Sequence, residues 1–238
     1  MKTLKIKSIL TITLFTIIAF LLSSCKKEKG ITEEEAANLI AVSISSTSNG
    51  LNYRIAVDDS IVAANSISCG ETKTFTKNIT NPSGTASTYT YNTNSTQTLA
   101  CTSTQTLSTS VTASGNFDAP RVAATDNITG SWTLSGFENT STTLTFNGNY
   151  KRSGNANSKV LRLAAYSYEL NTVSSNIVYN KASNKITTGV ANTTLSGSTT
   201  FRGTFNYTAS IEFLGNDLAK VIINGTVYTI NLLTGQIV

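Results

Sequence analysis

Between residues 201 and 213 the chain alternates without a break. Phe201, Gly203, Phe205, Tyr207, Ala209, Ile211 and Phe213 are apolar or glycine, and every residue between them is polar. Side chains of a strand point to opposite faces in turn, whereas a helix would scatter this pattern around its axis. Thirteen residues of alternation therefore specify one long strand with a buried face and a wet face. The rest of the chain is written in the same idiom. Serine and threonine account for 69 of the 238 residues and proline for two. Threonine favours extended backbone, and the shortage of Lys, Glu, Leu and Ala argues against a helical bundle. Hydrophobic residues make up 39 %, enough for a core, while charged residues reach only 13 %, about half the usual share. Histidine is absent. That excludes Ser-His-Asp and Cys-His hydrolases, His-ligated zinc or haem, and an imidazole switch.

The next element can be read to its register. Ala219, Val221 and Ile223 are apolar at odd positions, Asn224-Gly225 intervenes, and Tyr228, Ile230 and Leu232 are apolar at even positions. A two-residue hairpin loop sets 223 against 226, so the phase must flip, as it does. Val221 is expected opposite Tyr228, and Ala219 opposite Ile230. Asn147-Gly148 fails this test, because Leu144, Phe146 and Tyr150 keep their phase through it. Gly148 is expected inside a continuing strand, at a bulge or under a bulky neighbour. Further strands are expected at 71–80, 86–93, 97–113, 130–137, 159–170, 174–180 and 185–196. Breaks are expected at Asn81-Pro82-Ser83-Gly84, Ser153-Gly154-Asn155, 180–184 and 214–217. Consecutive strands joined by short turns imply an all-β fold, an antiparallel meander forming a sandwich, roll or open barrel.

Helix is expected only near the start. Thr32-Glu33-Glu34-Glu35 has the form of a capping box, and Ala36, Ala37, Leu39 and Ile40 extend it to a short helix over 33–42. It reads as a segment that seats the domain above its tether. Residues 51–62 fit two patterns. Leu51, Tyr53, Ile55 and Val57 alternate like a strand, while Leu51, Ile55 and Val62 share a helical face, and we favour helix.

At the N-terminus, Lys2, Lys5 and Lys7 precede the 14-residue apolar stretch from Ile9 to Leu22. This is shorter than the roughly 20 residues that span a bilayer and suits a signal-peptide core. It ends in Leu22-Ser23-Ser24-Cys25, which resembles the lipobox of bacterial lipoproteins. The resemblance implies cleavage after residue 24 and acyl chains on Cys25, the one covalent group we expect; no other cofactor and no metal is expected. Each buried methylene contributes about 0.8 kcal/mol, so two or three chains hold a protein firmly to a membrane. The organisation is then signal peptide 1–24, lipidated tether 25–31 and one domain over 32–238. An aspartate directly after the cysteine would resemble an inner-membrane retention signal. Lys26 stands there instead, which for a Gram-negative host implies delivery to the outer membrane, with its inner or outer face open. Cleavage removes three lysines, so the net charge of +5 falls to +2. No basic cluster interleaved with aromatics remains, and nucleic acid is not an expected partner. With Cys25 taken by lipid, Cys69 and Cys101 are left as a pair, expected to form a disulfide in an oxidising compartment. Closing a loop of about 33 residues is worth about 3–4 kcal/mol on the chain-entropy model.

The mature region resembles the Thr/Ser/Asn-rich all-β lipoproteins of bacterial envelopes, a likeness of style that carries no functional residues. The carboxylates of the β region are Glu71, Asp118, Asp126, Glu138, Glu169, Glu212 and Asp217, and no two stand in a catalytic motif. Asp58-Asp59-Ser60 lacks the periodic oxygen ligands of a calcium loop. Trp132, Tyr166 and Tyr168 could stack on sugar rings or face a core, since Trp132 keeps phase with Leu134 and Tyr168 with Leu170. We therefore expect a lipid-anchored envelope protein with no catalytic residues, in a structural or binding role. The expected partners are the membrane and a polysaccharide or another envelope protein. A carboxylate-dependent glycan hydrolase and a periplasmic carrier of an apolar ligand are the alternatives.

Overall fold

Strands that each carry one apolar face must cover it with something, and here two helices supply the cover. A computed structural model describes residues 30–81, 87–160 and 165–238. The signal sequence, Cys25 and most of the tether lie outside them, as does most of the expected turn at Asn81-Pro82-Ser83-Gly84. Helix α1 spans Glu33–Ile44 and α2 spans Leu51–Ala63, joined by a 3₁₀ turn at Thr47–Asn49. Eleven strands follow: β1 Thr72–Thr80, β2 Thr88–Cys101, β3 Gln105–Asp118, β4 Val122–Ser135, β5 Thr143–Ser158, β6 Ala165–Asn180, β7 Lys185–Thr199, β8 Gly203–Gly215, β9 Leu218–Ile223, β10 Thr226–Asn231 and β11 Gln236–Ile237. They form one antiparallel sheet in sequence order, with β1 bonded only to β2 and β11 only to β10. One open sheet in meander order leaves no place for the second layer of a sandwich.

The sheet curls around α1. That helix touches β4 on one side and β9, β10 and β11 on the other. In a flat sheet β4 and β10 would lie about 29 Å apart, yet a helix is only about 10–12 Å across. The 3₁₀ turn is likewise held from two sides, Asn49 donating to Thr93 of β2 and accepting from the Tyr150 hydroxyl of β5 at 3.0 Å. Every residue of α1 from Glu35 to Ile44 is buried, as suits a helix that is apolar nearly all round. It begins with the expected capping box, Glu35 N–H donating to Thr32 Oγ1 at 3.2 Å and Thr32 N–H to Glu35 Oε2 at 2.8 Å. The helix does not sit as a base above the tether; it fills the trough of the sheet. The segment from residue 51 is helical, with Leu51, Ile55 and Asp58 on its buried side.

The 223–226 hairpin has the expected register, Val221 opposite Tyr228 and Ala219 opposite Ile230. Gly148 lies inside β5 at a register shift, and a Cβ there would stand 2.3 Å from the Trp132 Cβ. Both expectations for that glycine hold. Other boundaries differ. The expected strand 97–113 is two strands, β2 and β3, joined by a turn at residues 102–104. Leu99 pairs with Leu107, so partners share parity and the apolar phase runs through the turn unmarked. The 86–93 segment merges with 97–101 in β2, and 130–137 is the latter part of a longer β4 that ends at Ser135. Ser153-Gly154-Asn155 is no break but the middle of β5. A Cβ on Gly154 would come within 2.7 Å of the Asp126 Cα, so its bareness serves close packing, not a turn. The expected strand 159–170 starts too early, since β5 ends at Ser158 and β6 begins at Ala165; residues 161–164 lie outside those described. Phe201 does not join the buried face of β8. It occupies the β7–β8 tip, 93 % exposed, and the buried phase begins at Phe205.

Candidate functional site

All hairpins of a meander fall at one end or the other of the sheet. The ends of β2, β4, β6 and the C-terminus of α2 converge at the end remote from Gly30. Cys69 and Cys101 join there with their sulfurs 2.00 Å apart, fastening the segment after α2 to the end of β2. Around them opens a cleft of about 620 Å³, whose lining includes Asp59, Ile67, Leu99, Phe137, Glu138 and Lys181. That volume is within the range of about 300–1,000 Å³ common for ligand sites. Its charged groups are held from behind. Glu138 Oε1 accepts from the Gln105 N–H at 2.5 Å, and Lys181 Nζ donates to the Ser141 carbonyl at 2.9 Å. Burial raises the Asp59 carboxyl above its ordinary range, with the Lys181 ammonium acting against it. Burial, and secondarily the Asp59 charge, pushes Tyr179 up to about 12. Two carboxylates, an ammonium and amides beside an apolar floor can hydrogen-bond a polyhydroxylated ligand, and the carboxylates could in principle exchange protons with one.

Two further polar centres lie sealed in the trough. In the first, Arg152 of β5 meets Asp126 of β4 at 2.7 Å. Tyr91 and Tyr168 donate to the same carboxylate at 2.8 and 2.5 Å, and Arg152 reaches Ser48 of the 3₁₀ turn at 3.1 Å. Burial alone would lower the guanidinium, but Asp126 and the tyrosine oxygens outweigh it and raise it well above its ordinary value. In the second, Asp58 of α2 accepts from Gln97 at 2.7 Å, Thr109 at 3.0 Å and Trp132 Nε1 at 2.6 Å. Burial pushes this carboxyl up to about 6, against the pull of its three donors and of Arg54. Neither centre is open to a ligand.

The expected site residues separate accordingly. Trp132 and Tyr168 are the donors just described, and Tyr166 packs edge-on against Phe205 at 6.0 Å. All three are buried, so none presents a ring to solvent. Of the seven β-region carboxylates, only Glu138 reaches the cleft. Glu169 and Glu212 pair with Lys151 and Lys220 at 2.8 and 3.4 Å on the exposed face. Asp118 contacts Lys159, Asp217 contacts Lys185, and Glu71 lies 3.1 Å from Lys73. No motif sets Asp59 beside Lys181; they share the cleft because α2 and the β6–β7 turn end side by side. Arg152 was legible in retrospect, since it keeps the apolar phase of Phe146 and Tyr150. Among the described residues no three of His, Cys, Asp and Glu come together as a metal site.

Comparison of the chain with protein-family models, curated proteins and solved structures finds no match.

Proposed function

We propose that this chain is a lipid-anchored cell-envelope protein that binds a polar partner, a glycan strand fitting best, in the cleft beside the disulfide. The observation that carries this reading is the position of that cleft. It opens at the end of the strands remote from Gly30, whose N–H is bonded to the Arg202 carbonyl at 2.9 Å. A protein tethered through Cys25 would thus hold its cleft outward. The lining offers carboxylate, ammonium and amide groups around Ile67, Leu99 and Phe137, a mixture suited to sugar hydroxyls on one side and ring C–H faces on the other. A glycan array with the purified full-length protein is the test. Wild type should capture one class of polysaccharide, and Lys181→Met should weaken that capture about tenfold, the loss of one charge-assisted hydrogen bond. Capture unchanged in Lys181→Met and Glu138→Gln, or none by wild type, would refute the reading. Cys25→Ala should release the protein from the membrane fraction.

A glycan hydrolase is the second reading, favoured by one feature: Asp59, with its raised carboxyl, shares the cleft with Glu138. Reducing-sugar release abolished by Asp59→Asn and by Glu138→Gln, but not by Glu169→Gln or Glu212→Gln, would establish it. The carrier reading would require an apolar ligand to displace α1, whose Ala36, Ala37, Leu39, Ile40 and Val42 occupy the trough.

A further inference from the structure

We infer that the β7–β8 hairpin tip, Phe201-Arg202, rests on the bilayer surface, so that the molecule stands with its strands leading away from the membrane. The inference rests on the reading of Cys25 as lipidated and adds to it an orientation and a contact residue. Phe201 is the most exposed large apolar side chain among the described residues, at 93 %. A single exposed phenylalanine is ordinary on a soluble surface. This one stands where the tether joins the fold. The Gly30 N–H donates to the Arg202 carbonyl at 2.9 Å, and the Tyr207 hydroxyl, further along β8, donates to the Ile31 carbonyl at 2.5 Å.

Covalent geometry then fixes the distance. Cys25 precedes Gly30 by five residues, which span at most about 18 Å when fully extended. With the step from Gly30 to the tip added, the acyl attachment lies within about 25 Å of Phe201-Arg202. The 13 residues of β8 carry the chain about 43 Å to its other end. That far end, with the cleft, is the part of the fold farthest along the strands from the acyl attachment, and a contact at the tip is what would stand it away from the membrane. The neighbouring β5–β6 connection adds Val160, 47 % exposed, at the same end, since Tyr166 of β6 pairs with Thr199 of β7. Two acids of this end face cations, Glu34 at Arg121 and Asp118 at Lys159, and Glu33 accepts from Asn224 and Thr226. An aromatic ring flanked by an arginine suits the headgroup layer, where the ring meets acyl chains and the guanidinium meets phosphates.

The test uses the full chain, made with its own signal sequence in a lipidating bacterial host and purified in detergent. The mass of the Cys25 peptide is measured first. Phe201→Trp and, as a far-end control, Leu233→Trp are then placed in vesicles of phosphatidylcholine and phosphatidylglycerol carrying brominated acyl chains. Wild-type emission, from Trp132, is subtracted. The indole introduced at 201 should lose about half its emission, more with shallow than with deep bromines, as an interfacial aromatic does. The indole at 233 should keep its own. Acylated protein whose position 201 is unquenched, or whose two positions quench equally, overturns the inference while leaving the anchor intact. A Cys25 peptide without acyl mass removes the anchor and the inference together, and the mass alone identifies that outcome. If a second copy covers the tip instead, emission at 201 will shift with protein concentration in detergent and ignore bromine, which also overturns it.

Discussion

Asp126 and Asp58 are both buried in the same trough, yet they are held in opposite ways. Asp126 faces a guanidinium at 2.7 Å and two tyrosine hydroxyls. Asp58 faces three neutral donors, and the cation of its own helix, Arg54, is directed to Thr93 at 3.3 Å with its Nε unpartnered. The first centre ties β2, β4, β5 and β6 together and reaches the 3₁₀ turn through Ser48; the second ties α2 to the sheet. A buried carboxylate met by neutral donors, with its nearest cation turned toward another partner, is raised by burial. The difference teaches that the helix's attachment to the sheet, held by a carboxyl that burial raises to about 6, answers to mild acid.

The comparison breaks hardest at the paired centre. Asp126→Asn should cost about 3–5 kcal/mol in urea unfolding, because it leaves the Arg152 charge buried without a counterion. Adding Arg152→Met to it should recover part of the loss, and a double variant worse than the single would contradict the pairing. Acid comes next. Asp58 titrates near 6 when folded and near 3.8 when unfolded, so between those values the folded protein holds the extra proton. Stability should therefore rise as pH falls from about 6 to about 4, by up to about 3 kcal/mol, and a flat profile there would deny the burial cost. Asp58→Asn should remove that slope and cost about 2 kcal/mol at pH 7, since an amide turns an N–H toward a site built of donors. Smallest is Arg54→Met, expected within about 1 kcal/mol at pH 7 because its guanidinium is incompletely bonded. Its signature would be a shift of the Asp58 slope to higher pH, as the nearby positive charge is lost.

The elements that were legible are those whose signal is local. Alternation marked β8 from Phe205 onward, parity at Asn224-Gly225 set the register of β9 and β10, and Thr32 with Glu35 marked the start of α1. The turn at 102–104 stayed hidden because Leu99 and Leu107 have the same parity and neither glycine nor proline stands between them. Ser153-Gly154-Asn155 resembled a turn by composition, but Gly154 is there because the neighbouring strand passes so near. Phe201 kept the right parity but lies beyond the last strand pair that could bury it. In α2, Asp58 falls on the same stripe as Leu51 and Ile55, a misplaced charge on an apolar face that was open to notice.

What the sequence by itself determined is which face each side chain takes, because alternation belongs to the strand backbone and needs no partner. That was enough to specify an antiparallel β fold with a helical start and a linked cysteine pair. Only the tertiary structure decided that the sheet curls around its own helices and that Trp132, Tyr166 and Tyr168 turn inward. It alone set Asp59, Glu138 and Lys181 around one cleft. Such meetings join residues tens of positions apart, and no local period encodes the distance between strands that are not neighbours in the chain.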